Sequence, residues 1–198
     1  MSLRTVLQAL RAPEDFAVRY AAAPADPPVC FGLSRSDLGR FGALSGCASL
    51  GVGAFGGALH AHGGALSMAH GAMGAVGAAG GAWLATLPAL YVLGTLAGSP
   101  LRGRALLLGS LVTVSFGGLA MLASVPVLWF FELALPFGMT RLVVALLSFL
   151  GVGLCMSDVF IRVMAALGCR SLLNLAWLAL LAATGGELFF VAGLFDLL

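Results

Sequence analysis

A chain of 198 residues with 61% hydrophobic side chains, 9% charged ones and a formal net charge of +2 lies far from an aqueous domain, where about a quarter of residues are charged. Its mean hydropathy of +1.07 belongs with polytopic membrane proteins. The small net charge and the scatter of the basic residues exclude nucleic acid as a partner.

Arginine supplies all ten basic residues, and Ala, Gly and Leu dominate the remainder. That usage points to a GC-rich bacterial source, and hence to a bacterial inner membrane. Residues 1–40 read as a cytoplasmic amphipathic segment and linker. In MSLRTVLQAL, Leu3, Val6, Leu7 and Leu10 share one helical face, with Arg4, Gln8 and Arg11 largely away from it, before Pro13 ends the pattern. Such a segment suits either the inner membrane surface or a seat on the protein's own loops. Pro24, Pro27 and Pro28 mark an extended linker that runs on to SRSD. This polar start carries no cleavable signal pattern, so the first span is expected to act as the insertion signal.

A hydrocarbon layer of about 30 Å needs roughly 20 apolar residues in helical form. Residues 41–198 contain five such runs, predicted at 41–61, 72–97, 105–131, 142–160 and 172–195. The expected fold class is all-α, a polytopic bundle with five transmembrane helices. Orientation follows from arginine, which is in excess on short cytoplasmic segments. Arg4, Arg11, Arg19, Arg35 and Arg40 precede the first span, Arg102 and Arg104 lie in the second connection, and Arg162 and Arg170 in the fourth. The first connection has no arginine and the third only Arg141. The alternation predicts a cytoplasmic amino terminus and a carboxyl terminus on the far side. Cys30, Cys47, Cys155 and Cys169 show no paired spacing and read as small apolar side chains, without a disulfide or zinc framework.

The first connection, HAHGGALSMAHGAM over residues 60–73, holds every histidine in the chain. His60, His62, Met68 and His70, with Met73, offer the imidazole and thioether donors that suit copper, on the outer side where copper is met. Against a metal site, His60 and His62 are two apart on different helix faces, no acidic partner is close in sequence, and Gly63 and Gly64 leave the donors unrestrained. A bis-histidine haem would need its ligands deeper in the spans. No cofactor is expected, and the histidines read as wettable residues of an outer hairpin tip.

Further along, Pro88 and Pro126 interrupt the second and third predicted spans, either as packing kinks or as breaks beside a substrate path. Glu132 and Arg141 bracket the third connection, and Arg141 is expected to pair with Glu132 or with Glu187. Asp158 and Arg162 have the spacing of an i, i+4 ion pair. Asn174 and the hydroxyls of the third span can hydrogen-bond between helices. Glu187, about 24 Å from the inner end of the fifth span at 1.5 Å per residue, is an ionisable group inside a membrane segment and so a candidate functional residue. Gly42 with Gly46, Gly53 with Gly57, Gly77 with Gly81, and Gly94 with Gly98 form G-x-x-x-G pairs, the patches through which helices approach closely in lipid. Packing within the protein is favoured over a dimer interface for these pairs. No nucleophile, base and orienting group fall at one depth, and no nucleotide or zinc-protease motif is present, so the chain is not expected to be an enzyme.

The run TLPALYVLGTLAGSPLRGRALLLGSLVTVSFGGLAMLASVPVLWFFEL, together with five spans and a cytoplasmic amino terminus, resembles bacterial members of the Yip family of five-helix membrane proteins. The likeness covers residues 82–133 by wording and the rest by topology. It implies a partner-recruiting or membrane-shaping role, supplies no catalytic residues, and does not carry over the Rab partner of the eukaryotic relatives. The functional expectation is a non-enzymatic scaffold or subunit of a membrane complex, in contact with lipid and with other membrane proteins or copies of itself. The alternatives are a small transporter or channel-forming oligomer using Glu187, Glu132 and the proline-broken second and third spans, and an outer-face copper or haem binder.

Overall fold

Apolar runs of this length satisfy their backbone groups internally only as helices, and the computed structural model is helical throughout the residues it describes, 3–22, 35–96, 103–134, 138–168 and 171–191. Among them are α1 (Leu3–Arg11), α2 (Pro13–Ala22), α3 (Arg35–Leu59), α4 (Gly64–Leu96), α5 (Gly103–Ala134), α6 (Gly138–Ala166) and α7 (Ser171–Val191), and no strand. Four stretches are long and apolar enough to cross a membrane: Leu38–Leu59, Ala61–Leu96, Ala105–Phe131 and Leu142–Ala166. The fifth predicted span has its counterpart in α7, whose described apolar stretch, Asn174–Phe190, is shorter than the other four.

Two boundaries differ from expectation. α4 begins at Gly64 instead of residue 72, because Leu66, Met68, Ala69 and Ala72 are good helix formers and the reversal of the chain needs only the 3-10 turn Ala61–Gly63. Gly64, at φ +80, takes up the left-handed backbone that this reversal requires. Pro13 does not simply end a helix. It opens α2, where a missing N–H is tolerated and Glu14 and Asp15 complement the positive end of the helix dipole. α1 and α2 meet at Ala12, whose N–H donates to Gln8 O at 3.1 Å and whose carbonyl accepts from Phe16 N at 3.0 Å.

The long helices close into a ring. α3 packs on α4 and α5, α5 on α6, α6 on α7, and α7 back on α4. α5 is the most enclosed, with 61% of its apolar stretch buried, whereas 22% of α6 is buried and α6 therefore forms the outer edge. The small helices seal one end of the ring. Ala9 is buried with Leu44, Trp83, Leu108, Leu111 and Val112, and Ala17 with Val159 and Val163. The seat of this segment is thus the long helices and not the loops. Leu7, on the predicted apolar face of α1, is 57% exposed.

Two backbone-to-backbone approaches set the spacing of α3. A side chain at Gly51 would collide with the Gly118 carbonyl of α5, and one at Gly118 would lie 2.7 Å from Ala48 Cα. Towards α4, a side chain at Gly56 would lie 2.6 Å from the Gly71 carbonyl. Ser115 Oγ lies 2.8 Å from Leu44 O across this seam and 2.8 Å from Leu111 O in its own helix, so its proton has an acceptor on either side. α4 and α5 continue as helices through Pro88 and Pro126.

Candidate functional site

The ring encloses a cavity of about 500 Å³, walled by residues of all five long helices: Val52 of α3, Ala79, Ala82 and Trp83 of α4, and Val114, Gly117, Gly118 and Met121 of α5, with α6 and α7 completing it. Small residues create the space, since Gly117, Gly118, Gly153, Ala182 and Gly185 all border it. Along the bundle axis it is shut at both ends. At one end Phe149 makes edge contacts with Phe55 at 5.1 Å and with Phe189 at 5.3 Å. At the other, Phe160 stacks on Trp177 at 4.5 Å within a buried cluster that includes Leu90 and Met164. The mouth is lateral: Leu150, Gly153 and Leu154 on α6 and Ala182 on α7 line the cavity and are exposed. Apart from Trp83, the polar side chain on the wall is Ser157, whose hydroxyl donates to Gly153 O at 2.8 Å. Among the described residues, neither Trp83 Nε1 nor Asn174 Nδ2 on α7, both buried, has a hydrogen-bond partner.

Glu187 stands elsewhere, on the outward face of α7. It is exposed, in line with exposed Ala176, Ala179, Ala183, Gly186 and Phe190. Its depth follows from its neighbours. Phe189 meets Phe149, and Phe149 lies seven residues, or about 10 Å, inside the apolar stretch Leu142–Ala166. Gly185 faces Ala82 at the centre of α4, and a side chain at Gly185 would lie 3.9 Å from the Ala82 Cβ. Among the described residues Glu187 has no ion-pair partner. The side chains of Glu132 and Arg141 lie outside the described residues.

Comparison of the chain with protein-family models, curated proteins and solved structures finds no match.

The other singled-out residues separate into groups. Gly53 and Gly57 lie in the α3–α4 seam, where a side chain would come within 3.3 Å of Val76 Cγ2 and of Met68 O respectively. Gly81 faces Leu188 of α7 and Gly94 faces Leu106 of α5, in ordinary contact. A side chain at Gly42, Gly46 or Gly77 would meet no described atom within 4 Å, so these three make no close approach among the described residues, and Gly98 lies outside them. The tightest positions, Gly51, Gly56, Gly71 and Gly118, escaped the pair motif because each approaches a neighbour singly.

The histidines do not converge. His60, just past the end of α3, has its Nδ1 3.0 Å from Gly56 O of that helix, and its ring covers Gly71. His62 lies in the 3-10 turn, while Met68 and His70 are exposed on the first turns of α4. Among the described residues no group of three His, Cys, Asp or Glu side chains is arranged to hold a metal ion. Asp158 and Arg162 do pair, at 2.9 Å, and Arg162 also bonds Glu14 of α2 at 3.0 Å. This charge cluster is a clasp for α2, not a site within the bundle. Of the hydroxyls on α5, Ser110 and Thr113 donate to Leu107 O and Gly109 O of their own helix, so Ser115 alone of these three reaches another helix.

Proposed function

We infer that the chain is a non-enzymatic, multi-pass protein of a bacterial inner membrane, with α3 to α7 as five spans and a cytoplasmic amino terminus, and that it acts as a scaffold or subunit of a membrane assembly. The Yip-like topology goes with this reading. The observation that carries it is Glu187: an exposed carboxyl about 10 Å inside the apolar depth of its neighbours, on a helix face of alanine and glycine. Intramembrane acids face a partner or a wet cavity and avoid lipid, and small residues let a second helix come close enough to donate a hydrogen bond. The partner that fits is a membrane helix with a hydrogen-bond donor or a cation at that depth.

A second reading, a small transporter or channel-forming oligomer, draws on the same carboxyl. The aromatic closures at both ends of the ring give a single protomer no conduit along its axis, so any path would have to form between protomers at Glu187. Gentle detergent purification followed by cross-linking and mass analysis separates the two. The scaffold reading expects bound partners to be lost in Ala183→Trp and Glu187→Leu, retained in Glu187→Gln, and the melting temperature to hold in all three because both residues are exposed. Assembly indifferent to Ala183→Trp would overturn it. A homo-oligomer that keeps its mass in Glu187→Gln but loses proton or ion flux in vesicles would establish the transporter instead.

A further inference from the structure

We propose that the cavity inside the ring is a binding site for one hydrocarbon chain of a membrane lipid, admitted sideways from the bilayer between α6 and α7. This rests on the membrane-spanning reading above but on none of the residues that carry the scaffold reading.

Three features select the occupant. Water is disfavoured first: a buried water needs two to four polar partners, whereas the wall consists of residues such as Val52, Met121, Leu150 and Phe189, the Ser157 proton is already committed to Gly153 O, and the Trp83 indole N–H is a single free donor among the described residues. An aqueous solute has no route, because the Phe55–Phe149–Phe189 and Phe160–Trp177 contacts close the two ends that could face water. A partner helix is too thick, since at a diameter of about 10 Å with side chains roughly one turn of it would use up the 500 Å³. What remains is a slender apolar chain. The volume lies within the range of about 300–1,000 Å³ typical of ligand cavities, which are mostly apolar. A dry void of that size would forfeit dispersion contacts along its whole wall. The lateral mouth opens at the middle of α6, the least buried of the long apolar helices, where hydrocarbon is the solvent.

Tryptophan position supplies the test. Trp83 borders the cavity and is buried, whereas Trp129 is 55% exposed on α5 and away from it. Two single-tryptophan proteins, one keeping Trp83 and the other Trp129, are reconstituted in phosphatidylcholine vesicles whose acyl chains carry bromine near the midpoint, a short-range quencher. Trp129 reports membrane insertion, and Trp83 reports a chain inside the ring. Both are expected to lose emission relative to unbrominated vesicles. Gly153→Phe, whose Cβ has open space within 4 Å, fills the mouth and should restore Trp83 emission. Gly80→Phe, equally uncrowded, blocks the separate hollow between α3 and α4 that also touches Trp83, and should leave the quenching in place. Loss of quenching in Gly80→Phe but not in Gly153→Phe would overturn the proposal, as would an unquenched Trp83 beside a quenched Trp129. If neither tryptophan is quenched, the membrane reading fails and the proposal with it. Should a single-tryptophan protein not fold, native mass spectrometry of the full chain replaces it, with one retained lipid per protomer expected in the natural sequence and none in Gly153→Phe; equal retention in both would overturn the site.

Discussion

The indole Nε1 of Trp177 donates to the carbonyl of Thr86 at 3.1 Å, joining α7 to α4 in the turn that precedes Pro88. Thr86 Oγ1 meanwhile donates to Ala82 O at 2.9 Å, so its hydroxyl is satisfied within α4 while its carbonyl accepts from α7. Both residues are fully buried, and Trp177 also stacks on Phe160. Trp177→Phe keeps most of the ring contact and removes the hydrogen bond. Interhelical bonds of this kind contribute about 0.6 kcal/mol on average and up to about 1.7 kcal/mol. Denaturation in detergent should show a loss in that range, and Trp177→Ala a distinctly larger one from the cavity it leaves. Equal losses for the two would show that the bond contributes nothing.

The glycines of α3 and α5 give a sharper contrast. Gly118 has no room for a methyl group, because the obstacle is the backbone of Ala48 and cannot rotate aside. Gly118→Ala should therefore force α3 and α5 apart, at about 1–3 kcal/mol or more. Gly42→Ala and Gly46→Ala meet open space and should be neutral, or stabilising by up to about 1 kcal/mol through helix propensity. Melting curves for the three variants decide the matter, and a Gly46→Ala protein as impaired as Gly118→Ala would contradict this account of the seam.

The helical class and the four long apolar stretches were legible because hydropathy over some twenty residues is a one-dimensional property. The Asp158–Arg162 pair was legible for the same reason, being four residues apart on one helix. Ring order and cavity were not. A chain with 28 glycines makes G-x-x-x-G pairs on faces that meet nothing as readily as on faces that meet a neighbour, and only the neighbour's position tells Gly51 from Gly46. Likewise, Gly153 and Gly185 matter for what is missing beside them. α2 was hidden because Pro13 stops one helix and starts another, and a single-residue hinge gives no composition shift.

The histidine cluster asks for a direct check. His60 uses Nδ1 on Gly56 O at 3.0 Å, and rotating it towards His70 would break that bond and uncover Gly71. Copper or a chelator should leave the melting temperature unchanged, and dialysed protein should hold no stoichiometric copper. One equivalent retained by the natural sequence but lost in His70→Ala would reverse this reading.

Arg162 bridges Asp158 of its own helix and Glu14 of α2, and so forms an ionic link between the amino-terminal helices and the ring. The pair with Glu14 is half open to solvent, with side chains 51% and 41% exposed, so its contribution to global stability is expected to be below about 1 kcal/mol. Its local effect is larger in kind, because α2 otherwise rests on few buried side chains, Ala17 chief among them. Arg162→Gln should leave the melting temperature nearly unchanged while amide exchange in residues 13–22 speeds up. High salt should reproduce part of that change in the natural sequence, through screening of exposed charges. Glu14→Gln should behave like Arg162→Gln, whereas Asp158→Asn, which spares the link to α2, should not. If exchange in α2 responded to Asp158→Asn and not to Glu14→Gln, the clasp would lie within α6 and the docking of α2 would have to be attributed to its apolar face alone.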